Sequence, residues 1–142
     1  MHTNSVQLTF ALEQLNDAVE LFLDKQSYAS VVTLAGAAEE IFGKSLEHQG
    51  QEYVLTWLWD MAHKMAALFD EERKNKKNYT DEQNLVRNYL KHFFPKDEQT
   101  YDMEDAATKM IIRAQENASR LNLEVKRIGE FETWFYENVV GY

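Results

Sequence analysis

The stretch SYASVVTLAGAAEEIFGKSLE, residues 27–47, decides the class of fold. It contains no proline, and Tyr28, Val32, Ala35, Phe42 and Leu46 fall on one arc at helical spacing. Ser27 stands where an N-cap is wanted, and Gly50 follows as a stop. Ala29, Gly36 and Gly43 lie on one line, each seven residues from the next. A glycine costs about 1 kcal/mol relative to alanine in a helix interior. Two on one line therefore predict close approach of a neighbouring helix. Glu39 projects into the apolar arc, where a carboxylate needs a partner. Two readings of Glu39 stay open: it meets a core arginine or a structural hydrogen-bond network, or it is a site carboxylate. Glu40 and Lys44 are spaced as an i, i+4 surface pair.

Working outward, the same periodicity recurs. Helix 1 is predicted from about Gln7 to Asp24, with Leu8, Leu12, Leu15, Val19 and Phe22 inward. Helix 3 is predicted from about Glu52 to Asp70, with Val54, Leu58, Met61, Met65 and Leu68 inward. Leu55, Trp59, Ala62, Ala66 and Phe69 widen that face past half the circumference, so helix 3 is either central in the bundle or packed on a second subunit. After the connector ERKNKKNY, Thr80 and Gln83 read as a capping box opening helix 4, which Pro95 ends. Helix 5 starts near Asp102, with Met103, Ala107, Met110, Ala114, Ala118 and Leu121 inward. A short last helix is expected around Phe131 to Val139. The expectation is an all-α, up-and-down bundle of five or six helices forming a single domain over residues 1–142.

Composition bounds the chemistry. The 142 residues suit one domain able to bury its own core. Cysteine is absent, which removes disulfides, thiolate metal sites and cysteine nucleophiles. The N-terminus MHTNSVQLTF lacks the pattern of a secretory signal, and no apolar run is long enough to span a bilayer, so a cytoplasmic location is expected. Asp60 and His63 offer a single acid–histidine pair on the polar side of helix 3. His2 is terminal and His48 stands near a helix end. No metal and no cofactor is therefore expected. No phosphate-binding loop, dinucleotide fingerprint or serine-nucleophile motif occurs. The three tryptophans, Trp57, Trp59 and Trp134, are expected in the core.

Net charge is −9, which opposes binding to bare nucleic acid. The charge is uneven. Arg73, Lys74, Lys76, Lys77, Arg87, Lys91 and Lys96 meet only Asp81 and Glu82, leaving residues 73–96 at +5. The segment is either a solvated basic connector or a local anion site on an acidic body. Within helix 4, Asn84, Arg87, Asn88, Lys91 and His92 share the polar side, a face of donors without a carboxylate. Asn84, Arg87 and Lys91 are its candidate anion-binding residues.

The run Arg87-Asn88-Tyr89-Leu90-Lys91-His92 fits R-x4-H with a polar residue after the arginine. In this it resembles the HEPN domains, small all-α bundles of prokaryotes. The AAEEIFGK and RNYLKH segments are similar to those of a group of small HEPN-like bacterial proteins. The resemblance implies a homodimer in which two motifs share one cleft, and two functions. One is a metal-independent ribonuclease, toxin-like and paired with an antitoxin. In it His92 acts as general acid or base, Arg87 stabilises charge on phosphorus and Asn88 orients the group. The other is a non-catalytic module that binds a protein, a nucleotide or another anion, with Arg87 or His92 locked by an internal partner such as Glu39. In one regular helix Arg87 and His92 lie about 140° apart. Convergence therefore needs a dimer cleft or a loosened helix before Pro95.

Overall fold

The computed structural model describes residues 6–68, 75–96 and 100–141. Among them are seven α-helices and no strand: α1 (Val6–Lys25), α2 (Tyr28–His48), α3 (Val54–Leu68), α4 (Lys76–Gln83), α5 (Leu85–Tyr89), α6 (Met103–Arg120) and α7 (Ile128–Phe135). A π-helical turn, Tyr136–Val140, extends α7. The all-α bundle expected from the sequence is what forms. Arg73, Lys74, Phe69, Asp70 and His2 lie outside the described residues.

The centre is α2, which packs along both α1 and α6. Its buried side chains are Val31, Val32, Ala35, Ala38, Glu39, Phe42 and Leu46, with Gly36 and Gly43 also buried. Ala11, Leu15, Ala18, Val19 and Phe22 face it from α1, and Ala107, Met110, Ile111, Ala114 and Ala118 face it from α6. Small residues on all three helices let the backbones approach, and apolar burial drives the bundle. Ser27 takes the N-cap position of α2 but makes no side-chain cap bond. Asp102 caps α6 through Asp105 N at 3.0 Å.

At the C-terminal end, Phe22 meets Phe131 and Trp134 edge-on at centroid distances of 5.3 and 4.6 Å. Arg127, with φ of 61°, turns the chain into α7 and donates to Asp24 of α1 at 2.7 and 2.9 Å and to Glu130 at 2.7 Å. These bonds hold the Asp24 and Glu130 carboxyls below their ordinary ranges, with desolvation opposing them.

Three expectations are corrected. First, α3 is not central. Val54, Leu55 and Ala66 are buried, but Met61 and Met65 are exposed and Leu68 is 77% exposed. The physical reason is that α1, α2 and α6 close the core by themselves, leaving α3 to lie against α6 and α4. Trp57 is accordingly exposed, while Trp59 and Trp134 are half-buried. Second, helix 4 is two helices. It breaks at Asn84 and ends at Tyr89, before Pro95. Third, Thr80 and Gln83 do not cap it. Asn75 does, accepting from Asn78 N at 2.8 Å, and Thr80 lies inside α4.

Candidate functional site

Glu39 and Arg113 form the polar heart of the bundle. Their side chains are 3% and 6% exposed. Arg113 donates through Nη2 at 2.9 Å and Nε at 3.3 Å to Glu39 Oε2. It also donates to Asn84 Oδ1 at 2.7 Å and to the Gln83 carbonyl at 3.0 Å. Gln83 ends α4, so its carbonyl has no intrahelical donor, and the guanidinium supplies one together with a favourable charge. This bond set is why the chain kinks at Asn84. Asn117, one α6 turn beyond Arg113, donates to the Glu39 carbonyl at 3.2 Å and accepts from Val54 N at 2.8 Å. It thereby satisfies the first amide of α3.

Glu39 is thus a carboxylate with a core arginine as partner. The arginine is Arg113, and neither Arg87 nor His92 touches that role. The sequence signal for Arg113 is present, since it stands between Met110 and Asn117 on the buried side of α6, at a position otherwise apolar.

Arg87 lies on α2. A Cβ at Gly36 would stand 2.6 Å from Arg87 Cδ and 3.1 Å from Cγ, so the glycine makes room for the arginine stem. The neighbour that the glycine line anticipates is, at Gly36, this side chain. Gly43 is less crowded, its nearest contacts being Asn117 and Tyr53 at 3.4 Å. Arg87 Nη1 pairs with Glu40 Oε1 at 3.1 Å, and the arginine side chain is only 12% exposed. Its Nε is buried and has no hydrogen-bond partner among the described residues. Glu40, expected to pair with Lys44 along its own helix, is held by Arg87 instead.

The two helices and the α3–α4 arm enclose a cleft of about 270 Å³ lined by Glu40, Gly43, Lys44, Tyr53, Asn84 and Arg87, among others. Asn88 lines a different pocket, of about 430 Å³, with Leu85, Tyr89, Phe94 and Tyr101. His92 and Lys91 are exposed in the turn after α5, and His92 lines neither cavity. Of the residues grouped on one polar face by helical spacing, Asn84 is buried and held by Arg113, Arg87 is half-buried against Glu40, and Asn88 faces an aromatic pocket. The break at Asn84 and the stop at Tyr89 scatter them.

No group of three or more acidic or histidine side chains among the described residues could hold a metal. No described helix is long and apolar enough to cross a membrane. Comparison with family models, curated proteins and solved structures finds no match.

Proposed function

We propose that the chain is a non-catalytic, HEPN-like interaction module that works as a homodimer and binds a protein or an anion such as a nucleotide. One observation carries this reading: the Arg87 guanidinium is paired with Glu40 and its stem is seated over Gly36. Phosphoryl chemistry needs a cation aimed at developing charge. Here a carboxylate already occupies that cation, and a phosphate would have to displace it. Exposed Lys91, which has no ion pair among the described residues, remains the accessible cation of the motif. The exposed stripe of Trp57, Met61, Met65 and Leu68 on α3 is the surface for the second subunit.

The ribonuclease reading, with an antitoxin as partner, is favoured by a different observation. The helix ends at Tyr89, so exposed His92 is released from the about 140° separation that a continuous helix imposes. Incubation of the purified chain with single-stranded RNA in chelator decides between them. The module reading expects no cleavage above that of His92→Ala. Cleavage that His92→Ala and Arg87→Ala both abolish overturns it.

A further inference from the structure

The outer side of α6 carries a groove that the Arg87–His92 motif does not touch. Ile112, Gln115, Glu116 and Ser119 recur at spacings that place them on one stripe, opposite the buried side of α6. Across from them, α7 contributes Ile128, Phe131, Glu132 and Phe135, and Tyr136 begins the π-helical turn. The groove between them is about 360 Å³. Ile112 is 41% exposed and Tyr136 56% exposed, and Val139 and Val140 continue the apolar surface past Tyr136.

Three features describe an occupant. Ile112, Ile128, Phe135 and Tyr136 supply the apolar part of the lining, so the occupant presents apolar side chains on one face. The lining holds two carboxylates, Glu116 and Glu132, and no basic residue. Glu116 is shared with Arg120, whereas Glu132 has no ion pair among the described residues. Gln115 Oε1 is buried, lines the groove and has no donor among the described residues. Turned outward into the groove, that acceptor bonds a ligand that brings an N–H or O–H group.

We infer that the α6–α7 groove docks a basic amphipathic helix of a partner protein, its apolar face on Ile112, Phe135 and Tyr136 and its lysine or arginine flank against Glu116 and Glu132. Charge decides the occupant. A basic flank meets Glu116 and Glu132, whereas a second copy seated groove to groove sets these carboxylates against their own counterparts. Helix-in-groove recognition of this kind reads apolar anchors at i, i+3, i+4 and i+7. The inference does not rest on the proposed function, since no residue of the motif lines the groove.

The test is fluorescence anisotropy of a labelled 18-residue leucine–lysine amphipathic peptide titrated with the full chain. Micromolar binding is expected, and it weakens as salt is raised from about 50 mM to about 500 mM. Ile112→Glu and Glu132→Lys each weaken it by about tenfold or more, while Glu13→Lys on α1 leaves it unchanged. Tyr136→Ala, on the exposed rim, serves as a second groove variant should Ile112→Glu unfold. A leucine–glutamate peptide of the same pattern does not bind. Three results overturn the inference: equal binding of the glutamate peptide, equal loss in Glu13→Lys, or a dimer in sedimentation equilibrium that Ile112→Glu or Tyr136→Ala dissociates.

Discussion

Replacing Arg113 with methionine keeps an unbranched chain of similar reach and removes the guanidinium. Glu39, 3% exposed, then loses both of its side-chain bonds to the arginine, and Asn84 Oδ1 and the Gln83 carbonyl each lose a donor. Removing one partner of a buried ion pair costs about 3–5 kcal/mol. The extra orphaned acceptors place Arg113→Met toward the upper end. For a chain of this length each kcal/mol shifts Tm by about 3 °C, so a fall of about 10–15 °C is expected. Glu39→Met removes the carboxylate but leaves the cation bonded to Asn84 Oδ1 and the Gln83 carbonyl, so it costs less, about 3 kcal/mol. The double variant Glu39→Met with Arg113→Met leaves no buried charge. It is expected about 1–3 kcal/mol below wild type, the residue of the two unsatisfied acceptors. Circular dichroism melts and urea denaturation of all four proteins complete the cycle. A loss under about 1 kcal/mol for Arg113→Met, or additivity of the two single effects, refutes the reasoning.

Gly36→Ala gains helix propensity but drives a methyl into Arg87 Cδ, so a net loss of about 1–2 kcal/mol is expected in urea denaturation. Gly43→Ala meets only ordinary contacts at 3.4 Å and is expected to be neutral or stabilising by up to about 1 kcal/mol in the same assay. The lowered Asp24 and Glu130 titrations make the Arg127 clamp a source of stability above about pH 4 that is lost as pH falls through the lowered native values. In Arg127→Ala, NMR titration returns Asp24 upward toward 3.8, and the melting difference from wild type shrinks in acid. Met61→Lys with Met65→Lys is expected to give a monomer in sedimentation equilibrium with an unchanged helical spectrum, whereas a dimer that persists removes α3 as the interface.

Much of the scaffold is local and therefore legible. The period of residues 27–47, the Asp102 start of α6 and the inward aim of Glu39 all follow from spacing along one helix. What was not legible depends on groups distant in sequence. The break at Asn84 comes from Arg113, 29 residues away, binding the Gln83 carbonyl and the Asn84 side chain. A T-x-x-Q pattern cannot announce that, and Asn75 caps the helix earlier. Glu40 has a plausible local partner in Lys44 and takes Arg87 from another helix instead. The face of α3 has a strong apolar stripe, yet a stripe does not say whether its cover lies in the same chain. At the candidate site, R-x4-H is a pattern along the string, and helix ends fixed by tertiary contacts decide where each residue points.

The way α3, α4 and α5 are fastened has a consequence for motion. The α1–α2–α6 core is held by apolar burial, whereas this arm adds to the packing of Val86 and Leu90 a set of polar ties, Asn117 at Val54 N and Arg113 at Gln83 and Asn84. Such polar latches release together. In native-state hydrogen exchange the arm's amides are expected to open as one sub-global unit, below the free energy that exposes the core. Each opening is expected to lift Arg87 from Gly36 and to bare Gly36 and Gly43 on α2. That strip of backbone is then the first part of the interior to meet solvent, a protease or another helix.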